Sequence, residues 1–202
     1  PTRNVIYRGN GIKALFYEHG SRPYIGNKFY NREFLNQYKI CFDESVQIGE
    51  DQLLQFEAFG TAKNICFVRE KLYHYDIKRS SSAMNQCEQQ QKAEESNFQL
   101  LQIIMDKKRE KYKSEYNKEY TLWILQDYGG LVNQKQQRIS DSRKNKILAI
   151  QGYLVEIGAE NYISDLPREY KYLCKRFLAY QGSQNADNYM RLPYREYNAY
   201  LA

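Results

Sequence analysis

Two adjacent carboxylates, Glu50 and Asp51, follow Gly49 at the head of a stretch whose apolar residues recur at helical spacing. A carboxylate in the first turn of a helix is held by the positive end of the helix dipole, and a fixed carboxylate can act as a general base. The same pair equally suits a plain acid-rich first turn, which stabilises a helix without doing chemistry. These residues alone leave both readings open. Upstream, Asn27-Lys28 follows Gly26, either as part of a polar cleft or as an exposed pair. Downstream, Tyr73-His74-Tyr75 and then Arg79-Ser80 bring rings, one cation and a hydroxyl into a short stretch.

Other chemistries find little support. The two histidines, His19 and His74, cannot build a histidine metal cage, so no metal ligands are assigned. Cys41, Cys66, Cys87 and Cys174 are far apart and form no CxxC pair, which argues against a zinc site and a disulfide framework. No apolar run approaches the ~20 residues of a membrane span, and no signal peptide is visible, so the chain reads as cytoplasmic. The net charge of +6 comes with basic clusters at Lys107-Lys108-Arg109 and Arg143-Lys144. Acidic and Gln-rich neighbours interrupt both, and no RNP or zinc-finger pattern occurs, which argues against nucleic acid.

The elements that must position these residues fall in two zones. In the first, residues 29 to 36 predict a short helix, and Phe42-Asp43-Glu44 a loop. Leu53, Leu54, Phe56 and Phe59 predict a helix from Glu50 to about Ala58, with Gly60 as its stop. Asn64 to Arg69 predicts a strand, and Leu72 to Ile77 a second strand or extended segment with Tyr73 and Tyr75 on one side. From about residue 85 the chain turns helical. Phe98, Leu101, Ile104 and Met105 mark an amphipathic helix over 86 to 111. Tyr112, Tyr116 and Tyr120 step by four into Leu122-Trp123-Ile124-Leu125, with Gly129-Gly130 as punctuation. A third helix is predicted over 141 to 157, and a fourth beginning at Pro167, which suits a first turn. The remainder is Tyr- and Asn-rich and reads as irregular.

Taken in order, Asn27-Lys28-Phe29-Tyr30-Asn31-Arg32-Glu33-Phe34-Leu35, Phe42-Asp43-Glu44, Ile48-Gly49-Glu50-Asp51 and Tyr73-His74-Tyr75 followed by Arg79 and Ser80 form a pattern. This pattern resembles the second, acceptor-side half of bacterial family-2 glycosyltransferases of the GT-A type, over about residues 11 to 84. The resemblance implies an inverting transfer of a sugar from a nucleotide-sugar donor to a glycan or lipid-linked acceptor. It implies Asp51 as the general base, with Glu50 orienting it or binding acceptor hydroxyls. Asn27 and Lys28 would lie at the floor of the acceptor cleft or hold the next helix against the sheet. Tyr75 would lie on the acceptor or donor side at the end of its strand, and the loop Lys78 to Ser82, with Arg79 and Ser80, would approach the donor diphosphate, where Arg79 could neutralise charge on the leaving nucleotide.

The expected fold class is α+β and mostly helical. Residues 1–84 would form the C-terminal half of a GT-A domain with few short strands, and residues 85–202 a helical C-terminal domain. The family holds its donor through a divalent metal on an Asp-x-Asp motif, and no Asp-x-Asp occurs in this sequence. No cofactor is therefore expected in this chain, with Mg or Mn in the intact enzyme. A donor-binding N-terminal half is the expected partner, and the isolated chain is expected to be inactive. An incomplete sheet would leave an edge for tail helices, that half or a second copy to cover. The basic, aromatic tail suggests a peripheral contact at the inner face of the membrane. The competing expectation is a helical interaction module that binds nucleic acid or a protein partner.

Overall fold

The computed structural model describes residues 4–9, 11–15, 25–46, 49–70, 72–74, 87–133 and 140–180. The chain divides into two compact units, Pro1–Lys113 and Ser114–Ala202. The described part is mostly helical with one small antiparallel sheet, an α+β arrangement.

In the first unit the sheet pairs β1 (Val5–Arg8) with β2 (Asn64–Phe67), in the register Val5↔Phe67, Ile6↔Cys66, Tyr7↔Ile65 and Arg8↔Asn64. Burial alternates along both strands, so Val5, Tyr7, Ile65 and Phe67 share the covered face. The Asn4 side chain extends the pairing by accepting from the Arg69 N–H at 2.8 Å. β2 is shorter than the predicted strand, and β1 was not predicted at all. Leu72, Tyr73 and His74 join no ladder and are exposed, so of the two readings for Leu72 to Ile77, a strand or an extended segment, the strand is not formed over the described part.

Helix α1 (Gly11–Lys13) packs on α3 (Glu50–Thr61), which also packs on α4 (Cys87–Lys111). Between them, α2 (Arg32–Gln37) begins at Asn31, whose side chain accepts from the Phe34 N–H and satisfies one orphan donor. Ile40, Leu54 and Ala58 form a small core on which Ile25, Tyr30, Phe34 and Leu35 pack. Leu100, Leu101, Ile104 and Met105 of α4 are buried, as its pattern predicts.

Two glycines decide the shape of α3. Gly60, predicted as its stop, lies inside the helix. A Cβ there would stand 2.0 Å from the Tyr112 hydroxyl, so the missing side chain makes room for that ring rather than ending the helix. Gly49 caps the N-terminus with φ of 89°, and a Cβ there would stand 2.4 Å from the Leu100 Cδ2. Left-handed backbone costs a non-glycine residue ~1–2 kcal/mol. Gly49→Ala should therefore destabilise the protein by about 1–2 kcal/mol in chemical denaturation; an unchanged midpoint would show that the left-handed cap is not maintained in solution.

The second unit contains α5 (Asn117–Tyr128), α6 (Gly130–Asn133), α7 (Asp141–Glu156), a 3₁₀ segment (Ala159–Asp165) and α8 (Arg168–Leu178). The tyrosine series does not run through one helix. Lys113 and Tyr116 have φ of 50° and 60°, breaking the chain between α4 and α5. Inside α5 the Trp123 indole donates to the Asp127 carboxylate at 2.8 Å and meets Tyr120 and Tyr128 edge-on. α7 and α8 pack on each other and on the 3₁₀ segment, and α8 also meets α5 and α6. Ile147, Ile150 and Leu154 of α7 are buried as predicted, whereas Leu148 and Val155 are exposed. No described helix is long and apolar enough to cross a membrane.

Candidate functional site

Helix α3 carries the paired carboxylates in its first turn. The Gln52 and Leu53 N–H groups donate to the Gly49 carbonyl at 3.0 Å, closing the turn that holds Glu50 and Asp51 at the positive end of the helix. Both acids are half-buried. The Asp51 Oδ2 also accepts the Ile25 N–H at 3.4 Å, which ties the helix start to the 3₁₀ turn Ile25–Asn27.

That turn delivers the other predicted residues to the same neighbourhood. Asn27 ends it, and Lys28 follows, donating from Nζ to the Asn27 Oδ1 at 2.6 Å. Burial lowers the Lys28 ammonium to about 8, against the opposing attraction of Asp51. Burial raises the Tyr30 phenol to about 12, and the Asp51 charge pushes it the same way. The Tyr30 hydroxyl is buried without a hydrogen-bond partner. A carboxylate, a partly desolvated ammonium and a phenol thus share one electrostatic environment, which is a setting for proton transfer.

The low Lys28 value has a stability consequence. Between about 8 and its unfolded value of 10.5, the unfolded chain binds more protons than the folded one, so folding stability gains with rising pH in that window. Tyr30 acts oppositely, because its contribution is lost as pH rises from 10 toward about 12. Lys28→Met should remove the gain between pH 8 and 10, read as a flatter melting temperature against pH than in the parent protein. An identical profile in both would mean that Lys28 titrates as an exposed lysine.

Beside this cluster lies an open cleft of about 1000 Å³. Asn27, Lys28, Tyr30, Tyr73 and His74 are among its lining residues; Glu50 and Asp51 are not. Asp51 accepts the N–H of Ile25, the residue before the lining Gly26, and interacts through its charge with the lining Lys28. Asp43, in the loop before α3, accepts from both the backbone N–H and the hydroxyl of Ser45, which hold its carboxyl below the usual range. These bonds build a local turn, and Asp43 is exposed.

The structure therefore gathers Asn27, Lys28 and Asp51, with Glu50 adjacent. Tyr75, Arg79 and Ser80 lie outside the described residues. Two buried polar groups near these residues in sequence, on Tyr30 and Gln55, have no signature of their own in the sequence pattern. Tyr30 was noted only as part of the helical motif. Gln55, one turn after Asp51 on α3, is fully buried, with both amide atoms lacking a hydrogen-bond partner. In the sequence it shows only as a polar residue set among Leu53, Leu54 and Phe56.

Among the described residues no three His, Cys, Asp or Glu side chains come together as metal ligands.

Comparison with known proteins gives one informative similarity. The chain is 32% identical over 117 residues to EpsH of Bacillus subtilis (strain 168), a protein provisionally named a glycosyltransferase. The match covers 56% of this chain and 33% of that protein, so the chain spans about a third of its relative's length. No family model and no solved structure matches. The similarity supports a relationship to glycosyltransferases.

Proposed function

We propose that this chain forms the acceptor-side part of an inverting family-2-type glycosyltransferase with a helical tail. The observation that carries the proposal is Asp51, fixed at the head of α3 behind a left-handed glycine and held by the Ile25 N–H beside a cleft. The similarity to EpsH points to the same class of chemistry.

In the proposed reaction the acceptor oxygen attacks the anomeric carbon of the donor while Asp51 takes the hydroxyl proton. The bond from the anomeric carbon to the donor phosphate oxygen breaks, and its electron pair leaves with the nucleoside diphosphate. Glu50 binds acceptor hydroxyls or orients Asp51. Lys28 keeps positive potential near the forming charge. Arg79 and Ser80, with Tyr75, belong to the donor side. Donor binding, with Mg or Mn, is assigned to an N-terminal half of the intact enzyme, and the isolated chain is inactive. The enzyme works in the cytoplasm, with a peripheral membrane contact through its basic, aromatic tail.

The test is acceptor-dependent release of nucleoside diphosphate from a panel of nucleotide sugars by the full-length gene product. Release that requires both a donor sugar and a glycan acceptor is expected. If no donor is turned over with any glycan or lipid-linked acceptor, the proposal fails.

A further inference from the structure

The cleft beside Asp51 carries a more specific meaning than a generic acceptor site, and this inference rests on the glycosyltransferase reading. Apolar rings that would ordinarily be covered stand at its edge in solvent. Phe29 is 93% exposed, Tyr38 44% and Tyr73 46%, and all three line the cleft. Three exposed rings on the lining of one cleft offer apolar faces to a ligand. Tyr38 is braced by Phe34, with ring centroids 5.2 Å apart, so its ring is offered on a packed support.

Amides interleave the rings. Asn31, Gln37 and Asn64 line the same cleft. An amide side chain both donates and accepts, and so does a sugar hydroxyl, whereas a phosphate only accepts. A pyranose presents an apolar C–H face with a rim of hydroxyls, which matches rings bordered by amides. An apolar peptide segment would bury the Gln37 and Asn64 amides at a cost. A polyanion would ask for more cations than Lys28 and Lys63, which share the lining with Glu70. At about 1000 Å³, the cleft stands at the top of the range that holds a drug-sized ligand, so it has room for more than one sugar ring.

We infer that this cleft is a track for a neutral oligosaccharide of more than one sugar unit, gripped on its C–H faces by Phe29, Tyr38 and Tyr73. The acceptor is then the end of a glycan chain rather than a single sugar or a lipid headgroup.

Calorimetric titration of the 202-residue chain tests this with chitotetraose, cellotetraose and mannotetraose beside their monosaccharides. At least one tetrasaccharide should bind roughly tenfold more tightly than its monomer, because rings added along the track add contacts. Phe29→Ala and Tyr38→Ala should each weaken that binding roughly tenfold. Val155→Ala, which removes an exposed apolar side chain of the second unit, should leave binding unchanged. Circular dichroism checks that each variant is folded. The inference is overturned if no tetrasaccharide binds, if monomers bind as tightly, or if removal of both rings leaves binding intact. Absence of binding beside intact transfer by the full-length protein would overturn the track alone. Failure of all sugar transfer, with tetrasaccharide binding retained, would strike the enzyme reading instead.

Discussion

Asp51→Asn in the full-length protein should lower sugar transfer by roughly 10²- to 10⁴-fold, the usual worth of a positioned general base. The substitution is nearly isosteric, and its side-chain carbonyl can still accept the Ile25 N–H that Asp51 Oδ2 accepts at 3.4 Å. Its structural cost is confined to a lost charge at a helix N-terminus, about 0.3–1 kcal/mol. A large kinetic loss with a small change in stability would therefore report on proton transfer. Donor binding should survive. An independent readout comes from the neighbours, because the Asp51 charge raises both Lys28 and Tyr30. In Asp51→Asn both should titrate at lower pH than in the parent, the phenol visible in ultraviolet absorbance. Full turnover in the variant would sink the assignment of Asp51 as base.

Gln55→Met should make the protein more stable by about 1–3 kcal/mol, the cost of a buried polar group without a partner. Gln55 is 0% exposed, and neither its Nε2 nor its Oε1 has a hydrogen-bond partner. Methionine has a similar length and flexibility, forms helices well and carries no amide to desolvate. Urea denaturation of the parent and variant measures the difference. A fall in stability would show that the amide is hydrogen-bonded in solution. A gain in stability accompanied by slower transfer in the full-length protein would place the amide in the machinery around Asp51, since both residues occupy successive turns of α3.

The helical part of the fold was largely legible because its signals are local. Apolar spacing marks α3, α4, α7 and α8, whereas the caps Asn31 and Ser140 that fix the starts of α2 and α7 were not read from the sequence. What failed depended on distant partners. β1 is four residues long and exists only by pairing with β2, more than fifty residues downstream. Tyr73 joins no ladder; its ring instead lies over Gly26, where a Cβ would stand 2.6 Å from it. Gly60 looked like a helix stop, yet its role is set by Tyr112, just beyond the end of α4. The tyrosines at 112, 116 and 120 fit one helical stripe, but left-handed backbone at Lys113 and Tyr116 breaks it.

At the site, the acids of α3 and the Asn27-Lys28 pair were readable as types and spacing. Their proximity was not, because it depends on the hydrogen bond from Ile25 to Asp51, 26 residues away. The buried Tyr30 hydroxyl and Gln55 amide were equally hidden, since burial without a partner is a property of packing.

The most direct test of the central claim is the anomeric configuration of the new linkage, read by proton NMR from the coupling constant of product made by the full-length protein. A single displacement assisted by Asp51 predicts inversion relative to the nucleotide-sugar donor. A product that retains the donor configuration would contradict a general-base role for Asp51 and the mechanism built on it.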